Sequence, residues 1–380
     1  MSQVQTPRSL IVRLRTLSIF KHSSANAQTN VWKKLNLCFL VALLPSTLIG
    51  IWNTGFQIQS SMATLNSPEL IGWQHSWFSK SMVLESGVIT QLLLGLSYFL
   101  PLFLVSFITC RSWEWLFTRK HNPIRDRGNM LISVLFVLLL PATMPVGFAI
   151  LGISFGIIFG KLIFGGNGRY LVSPPLLGIL FLYYSYPIFF TGQGSFLPVT
   201  GKIIEPTWQL LAEGGFQSYL AEGFSWTGLF MGNEIGSFGT TSTLAALLGL
   251  ILLMVQKIVS WRLITGALLG LILTSLLLNS PNKSEVWQLP WYWHLVLGNF
   301  TFILAFVATD PSVVPLSRGG CFIYGGLFGF LTVLIRLANP EHPEGTLFAI
   351  MLASILVPLL DWLMIESHRV INKRKRKLMS

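Results

Sequence analysis

The sequence predicts an all-α polytopic membrane protein, with about ten transmembrane helices in two inverted five-helix repeats. Three observations lead there. The 380 residues are 52% hydrophobic and only 11% charged, where a soluble domain carries roughly 25% charged residues. Apolar runs long enough to cross a bilayer recur along the chain. The Lys and Arg cluster in alternate loops between those runs, hence on one side of the membrane, which is the signature of membrane topology.

The spans are read at 36–52, 88–110, 129–141, 145–163 and 173–191, then at 241–256, 260–280, 292–309, 320–338 and 345–365. Pro141 and Pro145 split the third from the fourth, because proline removes a backbone donor and clashes with the preceding turn. The segment Trp226-Thr-Gly-Leu-Phe-Met-Gly232 reads as re-entrant or interfacial.

Five units result from this map. Residues 1–34 form a basic arm without any acid, with Arg8-Ser-Leu-Ile-Val-Arg13 and its continuation lying along the membrane surface. Residues 35–191 are the first repeat, 192–240 a long outer loop, 241–365 the second repeat and 366–380 a basic tail. The loop 111–128 holds Arg111, Arg119, Lys120, Arg125 and Arg127, and the tail holds Arg369 and the run Lys373 to Lys377. The opposite side has only Lys80, Lys202 and Lys283. Both termini are therefore expected in the cytoplasm, with an even number of membrane crossings. The net charge of +12 reports this topology and, in the tail, contact with anionic lipid. It does not report nucleic acid, since no reading module is present.

The repeat is read from an ungapped match of Gly147–Ile163 with Gly320–Arg336. Gly147, Ile150, Gly152, Phe155 and Gly156 meet Gly320, Ile323, Gly325, Phe328 and Gly329. Lys161 lies two places from the register of Arg336. Small residues recur on membrane helices for packing, but these are the fourth and ninth spans. A five-helix unit repeated once returns inverted, with a central site between the halves. Lys161 and Arg336, at span ends, are expected to snorkel to the interface.

Candidate chemistry rests on acids and on one glycine-hydroxyl run. A charge at the bilayer centre costs roughly 2.5–3.5 kcal/mol on insertion scales, so intramembrane carboxylates mark function. Glu114 follows the second span, Asp310 ends the eighth and Asp361 nears the end of the tenth. All three fall toward the cytoplasmic side, and oxygen ligands suit a hard cation such as sodium. Structural roles stand beside this: Asp310 capping the turn at Pro311, Glu114 pairing with Arg111, Asp361 pairing with the tail. Gly236-Ser-Phe-Gly-Thr-Thr-Ser-Thr243 opens into an apolar helix. Its hydroxyls cap a helix start, and the free N–H groups of such a start suit a flavin phosphate. Gly236, Ser237, Gly239 and Thr241 are the candidates there. Trp113, Trp115 and Phe117 serve either as interface anchors or as a quinone pocket. Three cysteines far apart and six histidines give no local metal signature. No nucleotide-binding loop or catalytic triad is visible, so no residue is assigned a catalytic role by itself.

From about Leu35 to the tail, ordered motifs carry a resemblance: LLGLSYFLPLF, SWEWLF, LLPATMP, GISFGIIFGKLIFGGNGRYLVSPPLLG, GSFGTTSTLA, WYWHLVLG, FVATDP, IRLANPEHPEG and LDWLMIE. The chain resembles the B subunit of the sodium-translocating NADH:quinone reductases, and its cousin, the D subunit of the Rnf complex. That resemblance implies a ten-helix inverted-repeat subunit relaying electrons through flavin toward ubiquinone, coupled to sodium translocation, and working only with the other subunits. It implies that Glu114, Asp310 and Asp361 lie on the sodium path, and that Trp113 and Glu114 lie near the quinone. Cys110 and Arg111 replace family glycines there. It also implies FMN, with riboflavin a further candidate. The family's SGAT attachment core is absent from the corresponding stretch, which opens Thr200-Gly-Lys-Ile-Ile-Glu-Pro-Thr207 and runs on to Gly215. Thr207 is the nearest hydroxyl, one place off register, so covalent attachment is expected to be impaired. The family's NPALAGR element reads Ser173-Pro-Pro-Leu-Leu-Gly-Ile179 here. A passive channel or transporter of the same fold, an Rnf-type subunit and a purely structural subunit remain open readings.

Overall fold

The computed structural model describes residues 25–64, 69–84, 87–118, 128–166, 168–190, 197–200, 215–217, 219–221, 223–233, 235–279, 289–338 and 345–379. Thr207 and residues 1–24 of the basic arm lie outside these residues, whereas 25–34 of that arm are helical. The described chain is built of helices and turns, apart from a single antiparallel bridge between Leu70 and Val199.

Helix α1, Ala25–Thr64, is much longer than the span expected at 36–52 and contains Pro45. Helix α2, Val88–Thr118, contains Pro101 and runs past the expected end at 110. Trp113 and Glu114 are therefore helical residues and not loop residues. Helix α3, Asn129–Leu138, stops before Pro141. Helix α4, Val146–Ile157, starts after Pro145, whose extended backbone (φ −66°, ψ 140°) sets its entry. It continues through a π turn at Ile158–Leu162. Helix α5, Pro174–Ser185, begins with two prolines at positions that need no backbone donor.

Helix α6, Trp226–Met231, is short and begins at Ser225, whose side chain accepts from the Gly228 N–H. It packs on Tyr219, Leu289, Trp293 and Val296. Helix α7, Thr243–Val255, is capped by Ser242, which accepts from the Ala245 N–H. It closes through Lys257 at φ 58°, the one non-glycine residue of positive φ among the described residues. Helix α8 is Trp261–Leu278. The eighth expected span is not one helix. It comprises α9, Trp293–Val296, then α10, Phe300–Phe302, and a π turn at Ile303–Val307, broken by Gly298 at φ 62°. Helix α11 is Arg318–Ala338. Helices α12, Gly345–Ile355, and α13, Val357–Met379, form the last span, bent by 43°.

Among the described residues, four helices are long and apolar enough to cross a membrane, and the bent pair makes up to five. Four shorter apolar helices, including α3 and α7, accompany them. Leu277, Val255, Leu37 and similar side chains lie exposed on the outside, as a lipid-facing surface requires.

Close packing explains the glycines. Gly266 and Gly270 of α8 meet the backbone of Phe322 and Gly326. Gly325 and Gly329 of α11 meet Leu263 and Ala267. Helix backbones in a bilayer approach this closely only where side chains are absent. Gly156, the register partner of Gly329, instead faces Pro174 and Gly178 of α5. The matched glycines thus serve different crossings, so the ungapped match records small-residue packing. A separate correspondence lies in the breaks: Pro141-Ala-Thr-Met-Pro145 follows α3, and Pro311-Ser-Val-Val-Pro315 follows the π turn after α10.

Candidate functional site

The breaks explain where the glycine-hydroxyl run goes. Ending α3 early leaves carbonyls without helical donors, and lipid supplies none. The Gly239 N–H donates to the Leu138 carbonyl at 2.7 Å, and the Phe238 N–H donates to the Leu140 carbonyl at 3.3 Å. A Cβ at Gly239 would lie 2.7 Å from Leu138 Cβ and 2.8 Å from the Phe302 ring. The Thr240 hydroxyl donates to the Ser237 carbonyl at 3.4 Å. Ser237 and Thr241 are buried, while Gly236 is half-buried. The run is a packed seam that satisfies a broken helix. The expected flavin-phosphate cradle does not fit it, because the Phe238 and Gly239 donors are engaged and the space at Gly239 is filled.

The strongest polar cluster joins the ends of α2, α3 and α4. Glu114 is 5% exposed and Lys161 is fully buried. The Lys161 ammonium donates to Glu114 Oε1 at 2.6 Å and to Asn129 Oδ1 at 2.9 Å. Asn129 Nδ2 donates in turn to Glu114 Oε2. Arg111 stands 3.8 Å from Glu114 Oε2, with its side chain 54% exposed. Lys161, in the π turn, therefore does not snorkel as expected; it is buried among the helices. A buried charge of this kind persists only with a partner and satisfied hydrogen bonds. The plain pairing of Glu114 with Arg111 is present but longer. Trp113 ties the same corner together: its indole N–H donates to the Ser154 hydroxyl of α4 at 2.9 Å.

Arg336 corrects the same expectation in the second half. It is 8% exposed and donates to the carbonyls of His294 (2.9 Å) and Leu297 (2.7 Å) and to the Thr346 hydroxyl (3.0 Å). These carbonyls are the orphans left where α9 stops, so Arg336 closes the second broken span onto α11 and α12.

The other two acids lie together. Asp310 Oδ1 accepts from the Ser312 N–H at 2.9 Å, the turn expected before Pro311, and Oδ2 accepts from the Tyr170 hydroxyl at 2.9 Å. Asp361 accepts the Leu316 N–H on both oxygens, at 2.9 and 3.2 Å. Tyr170 lines two cavities. One, of about 30 Å³, is lined by Trp32, Gly128, Tyr170 and Asp310, and holds about one water. The other, of about 280 Å³, is lined by Arg169, Tyr170, Ser312 and Asp361. Gly128 directly precedes Asn129, so the Glu114 cluster and both aspartates gather at one end of the bundle. That end also receives Trp32 of α1. Among the described residues no three His, Cys, Asp or Glu side chains converge as a metal-holding group. Sequence reasoning singled out the acids but missed Asn129, Tyr170 and the burial of Lys161. The available signal was a lysine inside the apolar run Ile157–Ile163.

Residues 19–369 match the NQR2, RnfD, RnfE family. The B subunit of the Na(+)-translocating NADH-quinone reductase of Ectopseudomonas mendocina is 37% identical over 345 residues, covering 88% of this chain and 85% of that protein. The same subunit of Azotobacter vinelandii is 36% identical over 345 residues, with the same coverage of each. That of Chromohalobacter salexigens is 34% identical over 352 residues, covering 91% of this chain and 84% of the relative.

Proposed function

The chain belongs to the NQR2, RnfD, RnfE family, and from that premise we propose that it is the membrane-embedded B subunit of a sodium-translocating NADH:quinone reductase. It acts within a complex, in contact with the other subunits, lipid and a quinone, in a bacterial inner membrane with both termini in the cytoplasm. The relatives carry that activity in their names, and the match covers most of their length.

One observation carries the assignment of the ion path: Glu114, Asp310 and Asp361, far apart in sequence, gather at one end of the bundle beside Tyr170. Sodium is a hard cation that carboxylate, carbonyl and hydroxyl oxygens ligate. Asp361 and Tyr170 face the larger cavity and form its entry, Asp310 is the next oxygen donor, and Glu114 lies deeper with Asn129. The quinone region is assigned to Trp113 and Glu114, with the exposed Trp115 and Phe117 beside them on the same helix. The proposed pair of inverted five-helix repeats rests on the two proline-bounded breaks.

Flavin supplies one-electron relay when bound. We infer that phosphoester attachment of FMN to this chain is impaired, since the SGAT core is missing from residues 200–215. A flavin-fluorescent band on a denaturing gel, lost on Thr207→Ala, overturns that inference.

The reading as a whole is tested by purifying the complex in mild detergent and measuring quinone reduction against sodium. Expected are co-purifying subunits and NADH-driven quinone reduction stimulated by sodium. A polypeptide that purifies alone and passes sodium without NADH instead supports the passive transporter.

A further inference from the structure

The Glu114 carboxylate, assigned to the sodium path, is already occupied by a cation of the protein's own. We propose that Lys161 is a tethered counter-cation that competes with sodium for Glu114, holding the carboxylate between transport events and returning to it as sodium leaves. The inference rests on the sodium reading of Glu114.

The geometry sets up the competition directly. The ammonium sits 2.6 Å from Glu114 Oε1 and 2.9 Å from Asn129 Oδ1. A carboxylate oxygen and an amide oxygen are the ligand types a sodium ion takes, so the Lys161 ammonium stands where the cation would be held. Both cannot be there together. Either cation balances the Glu114 carboxylate, and when sodium takes it the tethered ammonium swings out toward the half-exposed side marked by Arg111. An empty carboxylate is the costly alternative. The ammonium, and not the helix, is the part of Lys161 that this exchange moves. Its backbone is fixed, because Gly156 and Gly160 pack against Pro174 on α5, while four methylenes carry the ammonium. The π turn Ile158–Leu162 adds a wide turn at that point, and such turns are found at functional sites. Arg111 marks the direction of exit. Its half-exposed guanidinium lies 3.8 Å from the other carboxylate oxygen, Oε2, so this side of Glu114 opens toward water. Asn129 Nδ2 holds that same oxygen and keeps the carboxylate in place while the cations exchange.

The roles separate by the sign of the effect. In the assembled complex, sodium-stimulated quinone reduction is titrated with sodium chloride for Lys161→Gln, Lys161→Arg and Glu114→Gln. Removing the competitor lets sodium bind more tightly, so Lys161→Gln lowers the KM for sodium by about tenfold with a slower kcat. Arginine grips a carboxylate with two parallel hydrogen bonds, so Lys161→Arg raises that KM. A lysine that only holds the helices together would reduce kcat or assembly and leave the KM for sodium unchanged in both variants. That outcome, or a raised KM in Lys161→Gln, overturns the proposal. Where Lys161→Gln does not assemble, the arginine variant decides alone, and an unchanged KM refutes. Glu114→Gln distinguishes the two levels. An unaltered KM for sodium there removes Glu114 from the path, whereas an altered KM beside two silent lysine variants sinks the counter-cation only.

Discussion

In sodium-free buffer the Glu114–Lys161 pair makes a stability prediction of its own. At 2.6 Å and an effective dielectric of about 20, the Coulomb attraction is about 6 kcal/mol. Against it stands the desolvation of two ions, several kcal/mol each. The two sums are similar, so the pair adds little net stability over an apolar replacement. Breaking it is another matter, because one buried charge is left uncompensated, at a cost of about 3–5 kcal/mol. Glu114→Gln leaves a fully buried ammonium facing neutral amide oxygen, that of Asn129 among them. Lys161→Met leaves a carboxylate held by Asn129 and the more distant Arg111. The double variant removes both charges. The expected result is two strongly destabilised single variants and a double variant closer to the parent. The coupling between them should be at least about 2 kcal/mol. The assay is reversible unfolding of the purified protein in mixed micelles, followed by tryptophan fluorescence. Additivity of the single effects to within about 0.5 kcal/mol would refute the reasoning, since it would mean the two charges do not interact.

Other sites test other links. Gly329→Ala places a methyl group against the Ala267 carbonyl at the α8–α11 crossing, and should cost about 1–3 kcal/mol as overpacking. Gly147→Ala, where nothing lies within 4 Å, should be neutral or slightly stabilising in the same unfolding assay. Arg336→Leu strands the His294 and Leu297 carbonyls and the Thr346 hydroxyl, at about 1–3 kcal/mol for each buried group left unsatisfied. Arg336→Lys should recover only part of that, because one ammonium does not span the three acceptors. Hydrogen exchange at the α9–α10 break should accelerate in both. Ser242→Ala removes the α7 cap and should lower stability by about 1 kcal/mol without altering the KM for sodium.

Much of the fold was legible because membrane helices are written locally. A bilayer demands continuous apolar runs and internally satisfied backbones, so the apolar helices and the break at Pro141 and Pro145 could be read residue by residue. The family motifs were legible for the same reason, being contiguous stretches. The ends of helices were read less well. Helices α1 and α2 run beyond the hydrophobic stretch that identified them, since a helix continues past the apolar core wherever its propensity allows.

The sequence alone determined that this is a polytopic helical membrane protein, that it resembles a redox-driven pump subunit, and that Glu114, Asp310 and Asp361 call for a functional reading. Only the tertiary structure decided what those residues touch. Lys161 meets Glu114 across 47 residues, and Tyr170 meets Asp310 across 140; no local pattern encodes such a meeting. The same holds for Gly236–Thr241, where a run suited to an anion closes onto the carbonyls of a broken helix instead. Side-chain type sets what a residue can bind, while helix packing sets which partner reaches it first.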